Sequence, residues 1–186
     1  MLSFLALGAL VLAAGGTPSV PPVRNTPAEP ICSALAGAWV GALEYRDYSS
    51  NARVLLPTIL GIREAKGGQA LILHYIYDDG PTKVVQDNET VVIDPVAATY
   101  TTVSGDGKQT DKEGVVGIAA FLKTGRGKLV RSGAGKENGK AVDVRTTLTV
   151  SADSLIILKE TRPPGGKFQF RDQYKKTRVG PVTVGK

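Results

Sequence analysis

Histidine and cysteine are almost absent from this chain: its 186 residues include one of each, His74 and Cys32. A zinc site of the His/Cys kind cannot be assembled from that pair, and no intramolecular disulfide can form. Nucleophilic serine chemistry lacks its local frame, because no Gly-x-Ser-x-Gly elbow occurs. A phosphate loop is missing too. The glycine-rich run GAGKENGK at 133–140 has the wrong glycine spacing, meets Ala141 where Ser or Thr belongs, and leads into a β-type segment rather than a helix. Aromatic residues make up only 6% of the chain, with a single tryptophan. Beyond residue 15 no stretch carries the leucine periodicity of a long amphipathic helix. No catalytic constellation is left in view, and the chain reads as a non-enzyme.

What is present is turn-forming and β-forming. Glycine occurs 22 times and proline 11 times, hydrophobic residues make up 42%, and the length suits one domain with a proper core. The net charge of +6 is unevenly spread. Acids dominate from Asp78 to Glu113, whereas bases dominate from Lys123 to Lys140 and again from Lys159 to the end. The overall balance is too modest for a nucleic-acid binder. The basic C-terminal strands offer contact with an anionic envelope surface or a solvated barrel face.

The N-terminal run MLSFLALGALVLAA is apolar and uncharged but shorter than the roughly 20 residues of a membrane span. Small residues follow it, as behind a signal peptide. Next comes TPSVPPVRNTPAEP, whose prolines deny it helix and central strand alike. The expected organisation is a signal peptide at 1–15, a Pro-rich linker at 16–33, a barrel domain at 34–179 and a flexible tail at 180–186. That order implies export to the periplasm or beyond. Cys32 then reads as a small apolar residue at the domain edge.

From Gly37 onward, short alternating or β-branched runs are broken by turn signals every eight to twelve residues. Expected strands cover 39–46, 53–63, 69–77, 82–86, 89–93, 97–103, 127–131, 140–150, 153–160 and 167–175. Pro57 demands an edge or a bulge. GVVGIAAFLK at 114–123 fits a buried strand or one helical turn, and its glycines favour the strand. Hairpin-length links between about ten strands make an antiparallel meander, and closing it into an up-and-down barrel removes its edges. The predicted fold is all-β, a single closed barrel. A two-sheet sandwich needs longer crossing connections than this chain has.

The sole tryptophan sits in Gly37-Ala38-Trp39 on the first strand, directly behind the Pro-rich lead. This resembles the Gly-x-Trp signature of the lipocalins and their calycin relatives, while the strand count is nearer the ten of fatty-acid-binding or nitrobindin-like barrels. WVGALEYRDY is also similar to small exported bacterial proteins of unassigned role. The resemblance implies that Trp39 closes the barrel base with a basic side chain of the last strand across its ring. KFQFRDQYKK supplies Arg171 for that part, with Arg178 in reserve.

Alternation puts Trp39, Gly41, Leu43 and Tyr45 on one face of the first strand, and Leu71, Leu73, Tyr75 and Tyr77 on one face of another. Tyr45, Tyr75, Tyr77 and Leu43 are the expected liners of a pocket for a small hydrophobic or amphipathic molecule. A core filled by side chains is the competing arrangement, and it would leave an envelope interaction module working through its basic loops. Facing the cavity, His74 could ligate heme axially, as the nitrobindin-like resemblance suggests. It falls on the face opposite Tyr75 and Tyr77, so no cofactor is expected. Asp78-Asp79 at a turn lack the companion oxygens of a calcium loop, so no metal is expected. Asn88-Glu89-Thr90 spells a glycosylation sequon.

Overall fold

The computed structural model describes residues 28–47, 49–65, 68 and 70–180. The expected signal peptide at 1–15, the expected linker up to residue 27 and the expected tail beyond residue 180 lie outside the described residues. Ten strands follow one another as a meander: β1 (Gly37–Arg46), β2 (Arg53–Glu64), β3 (Ala70–Asp78), β4 (Val84–Asp94), β5 (Thr99–Ser104), β6 (Thr110–Val116), β7 (Gly127–Glu137), β8 (Lys140–Val150), β9 (Ser154–Arg162) and β10 (Gln169–Gly180). Every pairing is antiparallel, and β10 pairs back onto β1 to close the barrel. Closure leaves no strand edge to be capped. Pro57 fits because β2 pairs with β3 only from Thr58 onward, so its missing N–H falls where that ladder has already ended.

Two short helices interrupt the β pattern. The first, α1 (Glu29–Leu35), starts with a proline in its first turn, where the absent N–H costs nothing. It buries Ile31, Cys32 and Leu35 in one cluster with Trp39, Leu60 and Phe121. Each of the two large aliphatic side chains contributes roughly 1.5–3 kcal/mol by leaving water. The expected linker at 16–33 is therefore corrected at its end: EPICSAL is a plug for the barrel, not spacer. The second helix, α2 (Ile118–Thr124), touches both α1 and β7 and buries Ile118 and Phe121. The segment 114–123 is thus a strand end followed by a helix. Gly117 makes the switch, with φ of +95° and a backbone so close to Lys128 that a Cβ would stand 2.2 Å from its carbonyl oxygen. The separate strands expected at 82–86 and 89–93 are one continuous strand, β4, because Asp87 and Asn88 pair with Tyr75 and His74 instead of turning.

Cys32 is fully buried in α1, and burial pushes its thiol up to about 11, with Glu64 adding to the shift. The folded protein is expected to resist alkylation at pH 8 and to be modified stoichiometrically once unfolded in urea. A thiol-specific chromophoric reagent reads both states, and rapid labelling of the native protein would contradict the packing of α1.

Candidate functional site

The registers divide the interior into an apolar base and a polar mouth. At the base lie Trp39, Leu60, Ile62, Leu71, Leu73, Val115, Leu129, Leu148, Val150 and Leu155. Trp39 is 0% exposed, and its indole N–H donates to the Leu35 carbonyl at 2.9 Å. The guanidinium across its ring belongs to Arg178, 4.0 Å from the ring centroid, and it also donates to the carbonyls of Ala34, Ala36 and Ala152. Arg171, the first expectation for that part, is corrected. The register of β10 against β9 slips between Phe170 and Asp172, leaving Arg171 as the extra residue at the opposite end. There it donates to the Arg46 carbonyl and pairs with Glu137 at 3.1 Å.

Above the base is an internal cavity of about 500 Å³. Tyr75 and Tyr77 lie on its wall beside Tyr174 and Tyr100. Tyr75 stacks on Tyr77 at 5.9 Å and leans on Tyr174 at 5.8 Å, while the hydroxyls of Tyr77 and Tyr174 share a 3.1 Å hydrogen bond. Burial raises the phenol pKa of all three. Leu43 and Tyr45 occupy the matching register positions opposite Tyr174 and Asp172, but neither borders the cavity. His74 lies on the other face of β3, with its Nδ1 2.8 Å from the Asn88 side-chain oxygen. Among the described residues, no group of three His, Cys, Asp or Glu side chains is disposed to hold a metal ion.

Sequence reasoning missed the charged part of this cavity. One cross-strand row runs Val115, Arg131, Thr146, Lys159, Asp172, Tyr45 through six adjacent strands. Arg131 lies over Tyr100 at 4.3 Å, donates to Thr102 at 3.3 Å and pairs with Glu113 at 3.3 Å. Glu89, the first residue of the expected strand 89–93 and the middle of the sequon, reaches the wall from β4, and Asp172 reaches it from β10. Burial raises both carboxyl pKa values, offset in each by Lys159 and Arg131 and in Asp172 also by Arg171. The signal was present: Glu89 continues the inward series Val91 and Ile93, and Lys159 continues Leu155 and Ile157.

Lys176 marks the boundary between base and mouth. Only 3% exposed, it lies in a row with Gly41 and Thr58, and its ammonium crosses the bare Gly41 to donate to the Thr58 hydroxyl and carbonyl. A Cβ on Gly41 would fall 1.9 Å from the Lys175 carbonyl oxygen. Gly41→Ala is therefore expected to lower stability by about 1–3 kcal/mol through forced backbone shifts. A urea midpoint indistinguishable from the parent's would show that β1 and β10 do not approach so closely.

No family model matches the chain, and no curated protein matches it either. Among solved structures, one similar chain is a protein of unknown function from the DUF3598 family of Nostoc punctiforme. It is 8% identical, with 82% of this chain and 99% of that one covered and a TM-score of 0.23. A likeness of that depth adds nothing to the site. What the chain itself displays is an all-β, ten-stranded antiparallel barrel, closed at the Trp39 end and hollow above it.

Proposed function

We propose that this protein binds a small amphipathic molecule non-covalently inside its barrel, apolar end toward the base and polar end toward the mouth. The observation that carries the reading is the cavity itself: about 500 Å³, floored by Leu60, Leu73, Leu129 and Leu155, walled by tyrosines and rimmed by charge. That volume lies within the roughly 300–1,000 Å³ range of small-molecule pockets. The lining is apolar only toward the base, with charged and hydroxyl groups making up more of its surface than apolar groups, which suits an amphipathic rather than a purely hydrophobic guest. An internal space of this size weighs against the solid-core alternative. The basic strands also supply less free charge than the sequence suggests. Arg145 pairs with Glu160 at 2.8 Å, Arg162 with Asp143 at 2.9 Å, and Arg171 with Glu137.

Kinship with the lipocalin and calycin barrels belongs to the same proposal. It rests on Gly37-Ala38-Trp39 at the start of β1 and on the β10 arginine across the indole. Export is part of it as well, on the strength of the apolar run at 1–14 and the small residues behind it. The test is native mass spectrometry of the protein purified from its own source, compared with a denatured aliquot. A discrete extra mass that leaves on denaturation is the expected result. A bare polypeptide mass, with no shift after incubation with alkyl amphipaths, would overturn the reading.

A further inference from the structure

We propose that the cavity selects ligands whose polar head is a cationic amine, an ammonium held between the carboxylates of Glu89 and Asp172 and the faces of Tyr75 and Tyr77. This rests on the binding reading above and names the chemical class it takes.

The argument begins with which wall charges are already matched. Glu113 is paired with Arg131 at 3.3 Å and Glu137 with Arg171 at 3.1 Å, while Asp111 is exposed, solvated and takes only a hydrogen bond from the neutral Gln109 amide at 2.9 Å. Glu89 on β4 and Asp172 on β10, both half-buried in the cavity lining and four strands apart around the barrel, have no hydrogen bond or ion pair among the described residues. Lys159 stands on the wall as well and forms no ion pair with either within 4.0 Å. These three groups together leave one negative charge uncompensated. A half-buried carboxylate without a partner is costly, and an ammonium of opposite sign relieves that cost. Lys112 and Lys136 also border the mouth, but both are exposed and contribute a solvated, weakly felt charge.

The tyrosines supply an independent observation. Tyr75 is 7% exposed and borders the cavity, yet its hydroxyl has no hydrogen-bond partner among the described residues. Elsewhere in the barrel, aromatic rings carry cations: Arg53 over Phe170 at 4.4 Å, Arg145 over Phe168 at 4.1 Å, Arg131 over Tyr100 at 4.3 Å and Arg178 over Trp39 at 4.0 Å. The stacked rings of Tyr75 and Tyr77 carry none among the described residues. Tyrosine rings that border the cavity and carry no cation, together with unpaired carboxylates, are the chemistry that recognises alkylammonium groups. The leucine floor accepts the tail.

The experiment titrates the full chain calorimetrically with three probes of one tail length, each below its micellar concentration: dodecyltrimethylammonium, dodecanol and dodecanoate. The expected order is ammonium, then alcohol, then carboxylate, with at least tenfold between the first and last. Glu89→Gln and Asp172→Asn are each expected to weaken the ammonium about five- to tenfold and to leave dodecanol unchanged. Equal binding of all three probes, or a preference for dodecanoate, overturns the amine assignment while the pocket stands. Absence of binding by any probe overturns the pocket and the assignment together. If a variant fails to fold, the ranking of the three heads on the parent protein still decides the matter.

Discussion

Trp39→Ala is expected to lower the unfolding free energy by about 3–5 kcal/mol, the range for deleting a large buried aromatic. A domain of this kind has roughly 5–15 kcal/mol in total, so this one substitution removes a large part of it. The loss has three sources. The indole fills the base with 0% exposure, and its removal leaves a void bounded by Leu60 and α1. The Leu35 carbonyl loses the donor that ties α1 to β1. Arg178 loses the ring beneath it while its guanidinium stays fixed over the carbonyls of Ala34 and Ala36. Trp39→Phe keeps an aromatic face but not the N–H, and is expected to cost about half as much. Urea unfolding of the three proteins tests this. A Trp39→Ala midpoint close to the parent's would show that the base is held by something other than the tryptophan.

Lys176→Met is expected to act in the opposite direction and raise stability near neutral pH. Burial lowers the Lys176 pKa from 10.5 to about 8, so the folded state disfavours the charge that the unfolded chain accepts readily. Between these values the unfolded state binds more protons, so the parent gains stability as pH rises from about 8 to about 10.5, and below 8 it carries the whole penalty. At 1.36 kcal/mol per pH unit, that penalty is about 3 kcal/mol or a little more. Methionine removes it and keeps the volume, but leaves the Thr58 hydroxyl without its donor, at about 1 kcal/mol. A net gain on the order of 1–2 kcal/mol at pH 7 follows. Its measure is the difference between the parent and Lys176→Met across pH 7 to 10.5, which should shrink as pH rises. A constant difference would mean that Lys176 is not desolvated.

Period-two alternation carried much of the architecture. It separated His74 from Tyr75 and Tyr77, and the hairpin-length links led to a closed meander rather than a sandwich. It failed where the chain breaks period. Arg171 is the one arginine within the run KFQFRDQYKK, but the register slips at that residue, and the guanidinium on the tryptophan is that of Arg178, two residues beyond the run. The plug helix was hidden because Pro30 closes a proline-rich stretch, although the first turn is where a helix tolerates proline.

The charged wall was illegible for another reason. Acidic and basic residues mark the solvent face of a strand in a filled barrel, so Glu89, Arg131, Lys159 and Asp172 did not stand out as candidates for the interior. A hollow barrel with a wet mouth admits them on the inner face, and alternation with Val91, Leu129, Ile157 and Tyr174 places them there. Leu43 and Tyr45 show the converse. They have the correct phase, yet sharing a face with the cavity's liners does not bring a side chain to its surface.

The account stands on the cavity being where a ligand goes, and nuclear Overhauser contacts test that most directly. The isotope-labelled protein would be saturated with the tightest of the three dodecyl probes. The predicted result is contact between the probe's methylene protons and the rings of Tyr75, Tyr77 and Tyr174, with tail contacts reaching Leu129 and Leu155. Contacts confined to the exposed side chains Leu55, Ile59 and Val116 would place the probe on the outside and contradict the account.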